Sequence, residues 1–541
     1  MLHFDTSTVL VASFCFLVHL AYRYRRRSLL PLPPGPTRWP IIGNTLMIPL
    51  TNVHKFYKDL GKKLGLKIMY LEALGQSILV INDVTIAQDL LEKRSTTYSS
   101  RPDIPMLADV VGHRTFFAFM PYGNEWRAHR RLFTQHFSIK TLPRIEEKSL
   151  EFVRKGLLTN FLEYPEDFYH HIRNWIGGLS TSMTYGLPVQ RQHDPLIHFA
   201  ERALGGSAAA ASPGRFLVNV VPWLKYVPDW MPGAGFKRLG KSIMKELVQL
   251  REEPYQAVLQ MIDNGTAPVS FVSETLEILR DQPNFDPQDR YVKQAAEQVF
   301  GAASDTTRAA VSTLILVLLV HPEIQRNAQQ EVDSVVGHDR LPDFSDIPHL
   351  KYLSAVIKES LRWNPVLPTA LPHLASEDDE YMGYFIPRVP SSCQTLSTCP
   401  SVSTSVELNK ENLCFVISAM LHDEETFPDP EKFDPERFIK NGILRDDIID
   451  PETVATFGFG RRICPGSHIA LANLRIAAAS ILHLFDLLPP LDEDGKPIEP
   501  KAIFSSDSVG SEPQNLIVES FLEKGKDVHG LLKEYMGTEP M

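Results

Sequence analysis

A chain of 541 residues, 43% hydrophobic and 22% charged, has the apolar content to bury a large core, which excludes a disordered chain. A net charge of −10 and a pI near 6.0 leave no basic footprint for nucleic acid, so no such partner is expected. The 5 cysteines, Cys15, Cys393, Cys399, Cys414 and Cys464, are too few for a disulfide framework.

In chain order, residues 6–22 form an uncharged apolar run, followed at once by Arg23, Arg25, Arg26 and Arg27. As a helix the run would reach roughly 25 Å, the lower limit for a bilayer. A cleaved signal would carry its positive charges before the run, so the pattern predicts an uncleaved transmembrane anchor. The arginines then stay cytosolic and the rest of the chain faces the cytosol, a single-pass topology suited to the endoplasmic reticulum. Residues 23–44 form a basic and proline-rich hinge, in which Pro31, Pro33, Pro34 and Pro36 forbid a helix and favour a stiff connection. No long linker or repeat interrupts residues 50–385, so residues 45–525 are predicted to form one catalytic unit and 526–541 a C-terminal tail.

Further on, Trp126 and Arg130 lie four apart, on one face of a predicted helix that alone reads as a basic surface helix. The stretch 205–236 is apolar and rich in Pro and Gly, which suits either loop packing or a flap dipping into a membrane. Residues 291–320 make a long apolar helix interrupted by Ser304, Asp305, Thr306 and Thr307; threonines there can bond back to the preceding turn and distort it. Glu359 and Arg362 stand three apart on another helix, by itself an ordinary surface pair. The Ser/Thr-rich stretch 388–421 holds three cysteines but neither the pairwise spacing nor the fourth ligand of a zinc site.

Residues 457–466 read Phe-Gly-Phe-Gly-Arg-Arg-Ile-Cys-Pro-Gly, and a long apolar helix follows. Pro465 suits a first helical turn, which places Cys464 at a helix N-terminus, where dipole and free N–H groups lower a thiol pKa. Gly458, Gly460 and Gly466 permit turns and the close approach of a flat ligand. Arg462 supplies a cation beside it.

Phe457, Gly460, Arg462, Cys464 and Gly466 fill every fixed position of the haem-thiolate signature, and the chain resembles the cytochrome P450 family from about residue 30 to 520. The wording of LHDEETFPDPEKFDPERF is similar to fungal O-methylsterigmatocystin oxidoreductase-like members. The resemblance implies a mainly α fold with small β-sheets, preceded by the transmembrane helix. It implies haem b bound through the Cys464 thiolate, with Phe457 and Gly466 beside the ring and Trp126, Arg130, His373 and Arg462 toward its propionates. Glu359, Arg362 and Arg437 would form a buried ionic cluster, and Thr306 and Asp305 would deliver protons, with Ala303 in place of the family's usual glycine. The activity implied is insertion of one oxygen atom of O2 into a lipophilic small molecule, in fungal secondary metabolism or xenobiotic oxidation. Electrons would come from NADPH through cytochrome P450 reductase, docking near Arg127, Arg131 and Arg461, with cytochrome b5 a further donor. Substrate walls are expected from 103–120, 205–236 and 365–374. The family pattern fails at 388–421, which is expected to replace a buried strand, as a retained intron or faulty gene model would. Two alternatives stay open: a haem-thiolate isomerase or dehydratase that needs no reductase, and an inactive haem-binding relic.

Overall fold

The computed structural model describes residues 30–40, 42–212, 214–280, 285–388 and 411–489, then 491–492, 494–498, 500–504, 511, 513, 520–524, 527–536 and 541. The expected anchor at 6–22 lies outside them. Two described helices are apolar and long enough to cross a membrane, Asp289–Val320 and Ser467–Leu484, but both are mostly buried within the protein, as core helices are.

Helices dominate: α1 Val53–Leu64, α2 Asn124–His136, α3 Leu142–Phe152, α4 Phe168–Tyr185, α5 Pro195–Ala211, α6 Gly235–Asp263, α7 Phe271–Arg280, α8 Phe285–Val320, α9 Pro322–Val336, α10 Lys351–Trp363 and α11 Ser467–Leu484. The largest sheet has the order β1 Ile68–Ala73, β2 Gln76–Ile81, β4 Glu411–Phe415 and β3 His373–Leu374. β1 and β2 form an antiparallel hairpin through Leu74 and Gly75, both at positive φ. β4 runs parallel to β2, with Val80 opposite Cys414, and antiparallel to β3, with His373 opposite Leu413. Alternation sends Leu79, Ile81, Leu413 and Phe415 into one core, and Val80 and Cys414 into a smaller one under α1. Burial pushes the Cys414 thiol up to about 12, which makes it an inert core residue.

β4 corrects one expectation. The stretch 388–421 does not replace a buried strand, because Glu411–Phe415 is that strand, hydrogen-bonded on both sides. A second correction concerns the C-terminus. Val528, Leu532 and Met541 are buried in the main core, and Met541 exchanges backbone bonds with Val189 (2.8 and 3.0 Å), so these residues of the expected tail pack as part of the catalytic unit.

α8 belongs to two cores. Its second half, from Val311 to Leu319, packs with α3, α4, α9, α10 and α11. Its first half, from Val292 to Phe300, packs with α5, α6, α7 and the segment around Met106–Val111. Ser304–Thr307 sit at the junction, where the apolar pattern breaks.

Candidate active site

Between Phe457 and Cys464 the chain turns back on itself, and the Cys464 N–H donates to the Phe457 carbonyl at 2.9 Å. Gly458 and Gly460 take positive φ, and a Cβ on Gly460 would strike the Leu91 carbonyl, so glycine is required there on two counts. A Cβ on Gly466 would meet no protein atom, and its φ is ordinary, so nothing in the fold itself asks for glycine at that position. α11 begins at Ser467 with Gly466 as its N-cap. Pro465 therefore precedes the helix and does not fill its first turn, and Cys464 lies two residues before the cap. The expected lowering of the thiol pKa is also corrected. Desolvation by the surrounding protein pushes the Cys464 thiol up although the residue is exposed, and the Gly466 N–H and the Arg130 charge oppose this without overcoming it. A metal ion would reverse the balance, because a coordinating thiol loses its proton.

Trp126 and Arg130 share one face of α2, as their spacing predicts. Arg130 donates to the Ile463 carbonyl at 2.6 Å, and the Arg462 guanidinium lies 4.4 Å from the centre of the Trp126 ring. Phe117 also stacks with Trp126, at 5.5 Å and 8°. Arg462 donates to the carbonyls of Ser99 and Met120, and His373 Nδ1 to that of Tyr98. Arg101, which sequence reasoning missed, is buried here too and donates to the carbonyls of Ala118, Leu371 and Pro372. Arg101 stands alone in the loop SSRPDIP, without a helical partner to single it out.

No carboxylate is hydrogen-bonded to Arg101, Arg130, Arg462 or His373 in these contacts. Burial and then the charge of Arg101 press the Arg462 guanidinium well below its ordinary value, and the same two causes, in the same order, lower His373. Trp126 Nε1 and Arg462 Nη1 are buried with no hydrogen-bond partner among the described residues. Burying like charges and unsatisfied donors together is costly unless an anion joins them. Two carboxylates on a flat group held against Cys464 would meet that requirement, so the residues present fit a haem and its propionates.

On α8, Ala302 is exposed and Thr306 half-buried although the helix runs through the core. Thr306 Oγ1 donates to the Ala302 carbonyl at 2.8 Å, the back-bond its position predicts, yet the helix remains α-helical from Ser304 to Thr307. The expected distortion does not appear in its hydrogen-bond pattern. Asp305 points elsewhere, to Arg308 at 3.3 Å, with half of its side chain exposed.

Of the predicted substrate walls, 103–120 and 205–236 meet: Asn219 Oδ1 accepts from the Met106 N–H and Lys225 pairs with Asp109, both at 2.8 Å. The third, 365–374, joins through the bonds of Arg101. The predicted ionic cluster is complete. Glu359 and Arg362 are both fully buried and paired at 2.6 and 2.9 Å, and Arg437 Nε reaches Glu359 at 3.1 Å. The Asp434 N–H donates to the same carboxylate, and Arg362 also ties the carbonyls of Leu421, Pro430 and Lys432.

The family model for cytochrome P450 matches residues 33–388 and 407–517. Cytochrome P450 monooxygenase 98 of Postia placenta is 38% identical over 91% of this chain and 90% of its own. Cytochrome P450 monooxygenase COX1 of Coprinopsis cinerea is 38% identical over 91% of each. The tryptamine 4-monooxygenase of Psilocybe cyanescens is 33% identical over 92% of this chain and 94% of its own. With these matches and the cation cluster around the cysteine loop, the chain belongs to the cytochrome P450 family and is a haem-thiolate monooxygenase, an oxidoreductase that binds haem through a cysteine thiolate and takes O2, a lipophilic substrate and a redox partner.

Proposed function

We propose that Cys464 is the thiolate ligand and that the enzyme oxidises an uncharged lipophilic molecule delivered from a membrane. The observation that carries the ligand assignment is the set of three arginines without a carboxylate partner, Arg101, Arg130 and Arg462, with His373 beside them and two unpartnered donors around residues 462–464. Arg101, Arg130, Arg462, His373 and Trp126 would hold the propionates, while Phe457 and Gly466 border the ring. Bound haem supplies the oxygen-activating chemistry.

The chain's own part is orientation and proton handling. Thr306 donates its hydroxyl proton to Ala302, so its lone pairs are free to hold a water over the site. Asp305, half exposed and held by Arg308, is placed to pass protons inward from solvent. The carboxylates of the wall stretches are all paired, Asp103 and Asp109 with Arg114, Asp109 also with Lys225, and Asp229 with Lys237 and Lys241, which favours an uncharged substrate.

Membrane delivery is supported by one apolar surface. Leu217, Trp223, Tyr226 and Trp230 are exposed, at 62–80%, and so are Trp39, Leu46 and Leu50. Gln76 bonds the Asn219 carbonyl at 3.1 Å, and a Cβ on Gly214 would lie 3.0 Å from Leu50, so the two stretches adjoin. Such a patch on a soluble surface marks a binding face. It would work with the anchor at 6–22 in the endoplasmic reticulum membrane. NADPH–cytochrome P450 reductase, with cytochrome b5 as a second donor, would dock on Arg127, Arg131 and Arg461, all exposed beside the cysteine loop.

The reduced, CO-bound spectrum tests the ligand: a thiolate-type Soret band is expected, lost in Cys464→Ala, and an imidazole-type band in the wild type would sink the assignment. Product formation dependent on NADPH and reductase separates a monooxygenase from an isomerase or a relic. The family match halts at 388 and resumes at 407, which supports an intron-derived insertion there; its uniform presence in mature transcripts would count against that.

A further inference from the structure

Where the predicted substrate wall of residues 103–120, α5 and α6, here called the lid, meet α8 lies a second fully buried carboxylate, Glu297. Arg251 of α6 donates to it from Nε at 2.7 Å. His113, from the segment after Met106–Val111, faces it through Nε2 at 3.3 Å and is itself completely buried in its side chain. The other ring nitrogen of His113 lies 3.1 Å from Ser207 Oγ of α5. The neighbouring Gln298 extends the contact: its Oε1 accepts from the Phe117 N–H at 3.2 Å, and Phe117 is the ring stacked on Trp126. Residues 107–117, through them α5, and α6 are thus fastened to one turn of α8; the other polar contacts among these helices, Arg202–Glu246, Lys293–Glu252 and Tyr255–Asp289, each include a partly exposed side chain, and the rest of the packing is apolar.

Burial would raise the Glu297 pKa, but His113 and Arg251 outweigh it and hold the carboxyl below its ordinary range. The group is a charge that cannot be left behind. Swinging α6 or the His113 segment away strips a buried carboxylate of a partner, which is far more costly than parting apolar surfaces. Tyr185 of α4 ends in an unpartnered buried hydroxyl whose pKa burial raises, with the Glu297 charge adding to the rise.

We propose that Glu297 is the positioning residue of the lid, pinning residues 107–117, α5 and α6 to α8 and thereby setting how fast ligands enter and leave the site and how closely a substrate is held over it. The inference deepens the monooxygenase reading and rests on it for the meaning of the lid, but not for the existence of the pin. Glu297 touches neither the cysteine loop nor the cation cluster in the contacts described, so it acts through the lid.

The test uses the full chain with haem bound, comparing wild type with Glu297→Gln, and with Arg251→Met in case the first fails to fold. Hydrogen exchange should rise roughly tenfold or more in 106–119 and 235–255, with α10 and α11 unchanged. Entry and release of 4-phenylimidazole, followed by the shift of the haem spectrum, should both quicken by a similar factor while Kd moves less. Unchanged exchange in the lid, or an equal rise in α10 and α11, overturns the proposal. Failure of the haem-thiolate reading would appear instead as a missing Soret band in the wild type, and hydrogen exchange would still decide whether Glu297 pins the lid.

Discussion

Glu359 and Glu297 are both fully buried carboxylates, each contacted by an arginine and a second basic side chain, yet they fasten different kinds of structure. Around Glu359 the geometry is over-determined: two bonds from Arg362 one turn away on the same helix, one from Arg437, one from the Asp434 N–H. Both oxygens are satisfied. At Glu297 the partners come from separate elements, Arg251 on α6 and His113 on a loop, and Oε1 has only the long His113 contact. A carboxylate satisfied from its own helix and an adjoining turn makes a block that does not come apart in pieces. One satisfied from the far side of an interface joins parts that separate. The first ties α10 to the turn around Pro430–Arg437, and the second ties the predicted substrate walls to α8.

The comparison breaks if the two sites respond alike. Glu359→Gln leaves Arg362 and Arg437 buried with half their partner gone, a loss of about 3–5 kcal/mol. Holoprotein should be nearly absent on expression, measured as haem per polypeptide, whereas Glu297→Gln should retain haem. Equal haem content in the two variants would erase the distinction.

Acid should find the core side through His422. Burial, then the charges of Arg362 and Lys58, lower its pKa to about 4 against the attraction of Glu431 and a bond to the Ser418 carbonyl, and burial lowers His54 to about 4 as well. Folded values below the ordinary 6.5 mean that the unfolded chain binds the extra protons. Stability is therefore complete above pH 6.5 and declines as pH falls toward about 4. Thermal midpoints taken across that window should fall in the wild type and fall less in His422→Gln; parallel curves would show that His422 carries none of the effect.

Much of the core side was legible because its chemistry is local in sequence. Cys464 with its glycines, Glu359 with Arg362, and Trp126 with Arg130 are each read from one turn or one helix face, and the structure brings each set together. What escaped is what only the tertiary fold assembles. Arg101 sits in a loop where a lone arginine reads as solvated, and Glu297 looks like one more acid on an amphipathic helix. The start of α11 was misplaced by a few residues because proline marks a helix start without fixing which side of it the cap falls. The burial of Met541 against Val189 is likewise a long-range pairing with no local signal.

Trp126 links the two regions, since its ring is in contact with both Arg462 and Phe117. Trp126→Phe keeps the stack and removes the unpartnered Nε1, so it isolates the hydrogen bond to a propionate. A bond to a charged group contributes about 1.5–3 kcal/mol, and haem transfer to apomyoglobin should quicken by roughly tenfold or more. An unchanged transfer rate would remove Trp126 from the propionate site while leaving the stack intact.

The mildest change separates the lid contacts from one another. Ser207→Ala deletes only the hydroxyl beside His113 Nδ1, and leaves Arg251 on Glu297. A net hydrogen bond contributes about 0.5–1.5 kcal/mol, so hydrogen exchange in 106–119 should rise severalfold while 235–255 stays close to wild type. That asymmetry is the signature of separate partners converging on one carboxylate. If both segments loosened together, the lid would open as a single body, and the contrast between a block built within one helix and a joint built across several would lose its basis.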